Sequence, residues 1–265
     1  IVSPSNTNTF GTAWTVINKV VVDPNDPKRL LVATNDNLTE IKLDENGDGN
    51  HAIRTLVAFR CYEVEISKDE KISAAFRGGN GNGRIEYSRD NGETWTGISF
   101  PGTRRMDIAM AWDDSDIQYA SAGDASNCLF GVYKTTDGWQ SNQVRLPDPA
   151  RDYFSTGLPN RCQGFYDQEI IVFPDNSNKI LVAGVTIGLW NQSSVDPAPI
   201  EGEWQSYAAN FDFGPGARNP SYVHSDVHRF VFNPENSNTL YIGSDGGIGL
   251  TFNANENRPE FSQAN

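Results

Sequence analysis

Five segments of the chain carry one pattern, and this repetition restricts the fold more than any other feature. Each is an apolar run, a polar turn that often contains proline, and a second run ending in small residues. They read VVVDPNDPKRLLVAT (Val20 to Thr34), VEISKDEKISAAF (Val64 to Phe76), IAMAWDDSDIQYASAG (Ile108 to Gly123), IIVFPDNSNKILVAG (Ile170 to Gly184) and RFVFNPENSNTLYIGSDGG (Arg229 to Gly247). Aligning the second runs puts Leu30, Ile72, Ile117, Ile180 and Leu240 in register, at spacings of 42, 45, 63 and 60 residues. In three copies a proline stands six residues before the anchor, at Pro24, Pro174 and Pro234. Short β-rich runs bounded by Asn, Asp, Gly and Pro are strand signals. No stretch holds a helical apolar period over about ten residues.

Each copy continues into weaker strand signals and often a tryptophan, as at Arg84 to Ser88 then Trp95, and Leu189-Trp190 then Glu203-Trp204. Repeats of roughly 40 to 60 residues with about four strands predict an all-β fold, a β-propeller of four-stranded blades. One such sheet cannot bury its own faces, so neighbours must pack beside it. The repeats lie near 18–60, 61–104, 105–160, 161–222 and 223–265, as a single propeller domain or a fragment of one. Two arrangements stand. Ala13 to Ile17 supplies the fourth strand of the last blade and five blades suffice, or further blades belong to a longer chain. The first residue is Ile1, with no charged-then-apolar leader before it, which suits a processed product or an excised piece.

The 265 residues are 37% hydrophobic and include 24 glycines and 14 prolines, a globular and turn-rich mixture. A net charge of −13 repels phosphate backbones and anionic lipid, so neither nucleic acid nor a membrane surface is expected as a partner. No apolar run approaches the ~20 residues of a membrane-spanning helix.

Ser88-Arg89-Asp90-Asn91-Gly92-Glu93-Thr94-Trp95 spells S-x-D-x-G-x-T-W. Here Asp caps backbone donors, Gly takes a positive φ and Trp packs under a turn. A degenerate copy stands at Thr135-Thr136-Asp137-Gly138-Trp139. The motif is similar to the Asp-box of BNR repeats, a hairpin turn between the outer two strands of a blade. Two further segments are Gln163-Gly164-Phe165-Tyr166-Asp167 and His224-Ser225-Asp226-Val227-His228, the latter followed by Ser244-Asp245-Gly246-Gly247. This succession resembles the large secreted sortilin-like and xyloglucanase-like propeller proteins of Bacteroidota over most of the chain. The resemblance implies a secreted or cell-surface location, bacterial and extracellular.

In a propeller, loops before each innermost strand share a rim with loops between the second and third strands. Gln163, Tyr166, Asp167, His224, Asp226, His228 and Asp245 should therefore converge at the mouth of the channel as a ligand site. Positions 224, 226 and 228 alternate by two, so an extended strand would put all three on one face. His224, Asp226 and His228 would then suit Zn²⁺ or another divalent ion with a position left for water. The other reading is a hydrogen-bonded rim in which Asp226 orients a histidine. Asp44-Glu45-Asn46-Gly47-Asp48-Gly49 fits the front of a calcium loop, with Asp44, Asn46 and Asp48 as ligands for Ca²⁺. The acidic residue of its twelfth position is missing, and a polar hairpin turn between Ile41 and Ile53 is the alternative. No organic cofactor motif is present: Gly78, Gly79, Gly81 and Gly83 read as a loop and not as a phosphate cradle.

Glycoside hydrolysis needs two carboxylates flanking the scissile bond, and Asp167, Asp226 and Asp245 are the candidates. The sialidase variant is disfavoured, since no arginine triad can be assigned. Trp112 and Trp190 suit either stacking on sugars or the inter-blade core. Cys128 and Cys162 map to the same rim in neighbouring blades, so a Cys128–Cys162 disulfide is expected for a secreted protein, with Cys61 left as a free thiol. Three functions remain: a scaffold binding a glycan or surface protein at the rim, a polysaccharide hydrolase at the same rim, or a structural module. The module would join other subunits or the remainder of a cleaved chain.

Overall fold

The computed structural model describes residues 16–44, 51–78, 80–141, 143–158, 161–194, 200–209 and 219–264. Its described residues hold strands and no helix. The strands form five four-stranded antiparallel sheets, each ordered as in the sequence, which is the blade pattern of a β-propeller. Two compact units divide the chain, Ile1–Pro101 and Gly102–Asn265.

The first unit contains two sheets. One comprises β1 (Ile17–Val22), β2 (Arg29–Thr34), β3 (Leu38–Lys42) and β4 (Ala52–Val57). The other comprises β5 (Cys61–Ile66), β6 (Ile72–Arg77), β7 (Gly83–Ser88) and β8 (Thr96–Phe100). Leu31, Ala33 and Leu38 of one sheet meet Val64, Ile72, Ala74 and Phe76 of the other in a dry core. The second strands are short runs buried almost throughout, whereas no residue of the outer β4 is fully buried.

Three sheets make up the second unit. They are β9 (Met106–Met110), β10 (Gln118–Gly123), β11 (Leu129–Thr135) and β12 (Gln143–Arg145), then β13 (Glu169–Phe173), β14 (Asn176–Ala183), β15 (Ile187–Gln192) and β16 (Gly202–Ser206), then β17 (Val227–Asn233), β18 (Asn236–Ser244), β19 (Gly247–Thr251) and β20 (Ser262–Ala264). Every residue of β10 is buried, and its small side chains (QYASAG) admit close approach by both neighbouring layers. Tyr119, Ile170, Val172, Ile180 and Trp190 share one core, and Phe173, Leu181, Leu189, Phe230, Phe232 and Leu240 share the next. At ~25 cal/mol per Å² of apolar area, such face-to-face burial is the main stabilising contribution of each unit.

One expectation changes here. Ile17 opens β1 and pairs with Thr34 in the first sheet. The last sheet is completed by its own β20, through Ile248↔Ala264, Gly249↔Gln263 and Leu250↔Ser262. The free edge of β19 is thus met from within the last repeat, and Ile17 belongs to the first sheet; residues 13–15 lie outside the described residues.

The turn between β7 and β8 shows why its sequence is so specific. Ser88 Oγ donates to Asp90 Oδ1 at 2.8 Å and accepts from the Gly92 N–H at 2.8 Å. Asp90 also accepts from the Thr94 N–H at 2.8 Å and from the Thr94 hydroxyl. These bonds, that of the hydroxyl foremost, hold the Asp90 carboxyl down to about 2. Gly92 sits at φ 88°, and its carbonyl accepts from Trp95 Nε1 at 3.1 Å.

The β11–β12 turn repeats these bonds: Thr135 Oγ1 donates to Asp137 Oδ1 at 2.8 Å, and the Trp139 N–H donates back to Thr135 Oγ1 at 3.2 Å. Trp139 therefore occupies the Gly92 position, at φ 69°. A third version follows β19, where Thr251 Oγ1 donates to Asn253 Oδ1 at 2.7 Å.

Candidate functional site

Five segments of the second unit meet in one loop cluster: those before β9, β13 and β17, the β10–β11 loop and the β18–β19 turn. The loop before β13 is the most firmly held. Cys162 is disulfide-bonded to Cys128, as expected from the sequence, and Cys61 is a buried free thiol. Gly164 donates its N–H to Asn127 O at 3.0 Å. A Cβ on Gly164 would stand 2.7 Å from that same oxygen, so only glycine permits the contact. Arg105 Nη1 donates to Phe165 O at 2.7 Å. The Tyr166 and Asp167 N–H groups both donate to Gln163 O, closing a tight turn. At its tip Phe165 and Tyr166 are 63% and 48% exposed.

The seven rim residues expected from the sequence lie in this cluster. Gln163 Nε2 donates to Asp226 Oδ1 at 2.9 Å. Tyr166 donates its hydroxyl to Asp245 Oδ1 at 3.2 Å, and His228 Nε2 lies 2.7 Å from the same oxygen. A carboxylate oxygen can only accept, so this nitrogen carries the imidazole proton. The Tyr166 and His228 rings meet edge to face at 4.8 Å. His228 and then Tyr166 hold the Asp245 carboxyl below its usual range, while the hydrogen bond to Asp245 pushes the Tyr166 phenol up.

Asp167 lies beneath this surface. It is wholly buried, and neither carboxyl oxygen has a hydrogen-bond partner. Burial, then the neighbouring Asp226 carboxyl, pushes it up to about 8, with Arg105 pulling the other way. Two ionised carboxylates are both acceptors, so a bond between them exists only when one holds a proton.

His224 departs from the expected geometry. Strand β17 begins only at Val227, and Asp226 has φ 63°, in the left-handed region, so positions 224, 226 and 228 do not alternate along an extended strand. His224 Nδ1 lies 2.9 Å from Ser225 O, and its ring covers Gly246, where a Cβ would stand 2.3 Å from the imidazole Cγ. The ligand atoms of His224, Asp226 and His228 do not lie within 4.8 Å of one another. Among the described residues, the only such group of three is Cys128, Asp152 and Cys162, whose two sulfurs are bonded to each other.

Of the calcium-loop residues, Asp44 is described, with Oδ2 3.5 Å from His51 Nδ1. Asn46 and Asp48 lie outside the described residues. The flanking strands pair Ile41↔Ile53, so the segment joins the two arms of a hairpin.

Trp190 is core, packed at 5.3 Å against Trp204, whereas Trp112 is exposed at the β9–β10 turn. Phe165, Arg105 and Asn127 were not singled out in the sequence. The aromatic pair between Gly164 and Asp167, in an otherwise polar loop, was the available signal for Phe165.

No family model matches the chain, and no curated protein matches it. Solved structures do. One is an ancestral GH74 enzyme, 14% identical, covering 93% of this chain and 40% of that one at a TM-score of 0.52. Another is a chain of the mitotic checkpoint complex, 14% identical, covering 92% of this chain and 62% of that one at 0.55. A third is virginiamycin B lyase from Staphylococcus aureus, 13% identical, covering 94% and 70% at 0.57. The chain thus spans less than two thirds of the length of the first two. At such identities the likeness shows the fold, a β-propeller, and nothing of activity.

Proposed function

We propose that this chain is the glycan-binding propeller module of a secreted or cell-surface protein. The observation that carries the reading is the exposed pair Phe165 and Tyr166, set beside the hydrogen-bonding groups of Gln163, Asp226, His228 and Asp245. An aromatic face covers the apolar side of a sugar ring, while fixed acceptors take its hydroxyl hydrogens. The disulfide supports an oxidising compartment. The bonds of the Ser88–Trp95 turn support the Asp-box reading and, with it, kinship to secreted BNR-repeat propellers.

A second reading, polysaccharide hydrolysis, draws on Asp167, since a carboxyl raised by burial and by a neighbouring carboxyl suits a general acid. The complete burial of Asp167 weighs against it, because a general acid must reach the glycosidic oxygen. Affinity electrophoresis through a panel of neutral and acidic polysaccharides, with wild type and Phe165→Ala, tests the first reading. Retardation by at least one polymer, abolished in Phe165→Ala without loss of folding, is the expected result. Equal mobility in every gel, or equal retardation of the variant, overturns it. Reducing-sugar release by wild type from the retarding polymer transfers the assignment to the second.

A further inference from the structure

We infer that the outer face of the last sheet, β17 to β20, is a docking surface for a second copy of this chain, in a reversible two-fold pair. No part of this rests on the glycan-binding reading.

An antiparallel sheet covered on one side alternates, apolar inward and polar outward. Strand β17 follows the alternation in burial: Phe230 and Phe232 are 1% and 2% exposed, whereas Val231 between them is 48% exposed. The residues that face outward are nonetheless apolar. Val231 pairs with Tyr241 and Tyr241 with Leu250, so these three form one row across the sheet. Gly243 pairs with Ile248 in the adjoining row. Tyr241 is 40% and Ile248 50% exposed, and Phe252, just past the end of β19, is 68% exposed. Contiguous apolar surface of this kind marks an interaction site.

The preceding sheet shows what such a face is for. With Ile180 and Leu240 aligned, Tyr241 stands where β14 has Leu181, and Gly243 where it has Ala183. Leu181 and Ala183 pair with Leu189 and Ile187. These four are at most 3% exposed, in the core that they share with Phe230, Phe232, Leu240 and Ile242 of the last sheet. One position of the repeat is therefore a sheet-packing face, covered in the fourth sheet and bare in the fifth.

Charge and availability select the occupant. With 34 Asp and Glu and a net charge of −13, two copies repel each other over most of their surface. Neither outward row contains a carboxylate, and its one charged residue, Arg229, gives Nη1 to Glu169 Oε1 at 3.1 Å. A partner sheet must also have a bare apolar face. Among the described residues, the second strands of the other four sheets bury their large apolar side chains, Leu30 only in part. Strand β1 exposes Val20 and Val22, but Val32, Thr39 and Ile41, on the same side of that sheet, are buried. The face that can meet the last sheet is thus its own counterpart on a second copy, which a two-fold axis supplies. Its footprint, roughly 20 Å across the strands by 17 Å along them, is small beside that of a permanent dimer. The pair should therefore exchange with monomer. Asp226 and Asp245 lie in loops of this same sheet, so a pair carries two rims in one particle.

Sedimentation velocity over a range of protein concentrations, without ligand, tests the assignment. Wild type should pass from monomer to dimer as concentration rises, and no further. Tyr241→Glu and Tyr241→Lys each set like charges across the axis and should weaken pairing by roughly tenfold or more. An equimolar mixture of the two variants should pair again, because opposite charges then meet. Urea titrations should match wild type, since the position is exposed. A wild type that is monomeric at every concentration, assembly that continues past two copies, or variants that pair as wild type does overturns the proposal. So does a mixture that pairs no better than either variant alone, because the two faces then do not meet each other.

Discussion

Gln163 ties the loop before β13 to the loop before β17 by donating from Nε2 to Asp226 Oδ1 at 2.9 Å, across 63 positions of sequence. Through this bond the loop that carries the aromatic turn reaches Asp226. Gln163→Ala should cost about 2 kcal/mol of stability, the usual worth of a hydrogen bond to an ionised group. Gln163→Glu should cost more, because it places a third carboxylate against Asp226 and Asp167. Urea titrations of the three proteins at neutral pH check the order.

Stability should fall as pH rises toward 8, the reverse of what most acidic proteins show. The folded-state value for Asp167 is raised to about 8, above that of an unfolded aspartate. Below the unfolded value, near 4, both states hold the proton and the contribution is complete. Between there and about 8 the folded chain keeps a proton that the unfolded chain releases, so stability is lost at about 1.4 kcal/mol per pH unit. Above that range both states are ionised and the loss levels off. Thermal melts across this range should show the slope in wild type and lack it in Asp167→Asn.

The blades were legible because their determinant is local and repeated. The anchors Ile72, Ile180 and Leu240 are fully buried in or at their second strands, as the alignment of runs requires. The meeting of Gln163 with Asp226, and of Tyr166 with Asp245, followed from blade topology alone. Alternation along 224–228 misled, because a sequence does not announce a positive φ at an aspartate. The φ of 69° at Trp139 was equally hidden: a tryptophan at a left-handed position is held there by burial, which outweighs local preference. Asp167 was legible as a rim residue but not as a buried acid, since burial depends on packing from three separate segments.

Reduction of Cys128–Cys162 should destabilise the second unit. The bond closes a loop with a sequence separation of 34. Freeing a loop of that length in the unfolded chain is worth about 4 kcal/mol in the chain-entropy account. Because Cys162 also anchors the turn with Phe165, the amides of 161–167 should lose exchange protection before the strands of β14 do. Exchange measured with and without a phosphine reductant checks both the size and the order.

Trp139→Gly sets two effects against each other. Glycine relieves the φ of 69°, a gain of about 1–2 kcal/mol. It also removes a fully buried indole, whose Nε1 donates to Gln118 Oε1 at 2.6 Å, a loss of about 3–5 kcal/mol. Burial wins, and the variant should be less stable by about 2 kcal/mol. A variant as stable as wild type in a urea titration would mean that the turn conformation, and not the indole, dominates.

Arg29 is the buried centre of the first unit. Nη1 donates to Asp23 Oδ2 at 2.8 Å, Nε to Glu40, and Nη2 to the carbonyl of Asn91, in the turn that joins β7 to β8. Arg29, Asp23 and Glu40 each expose under a tenth of their side chains, so the pairs are screened little by water or salt. Arg29→Ala strands Asp23 without its cation, leaves Glu40 to Arg54 alone and also releases the neighbouring blade's turn. The expected cost is about 3–5 kcal/mol, typical of one partner removed from a buried ionic group. Arg29→Ala combined with Asp23→Asn should recover part of that loss, because it removes the stranded charge. Urea titrations of both variants distinguish this from a loss of packing alone, in which the second substitution would restore nothing.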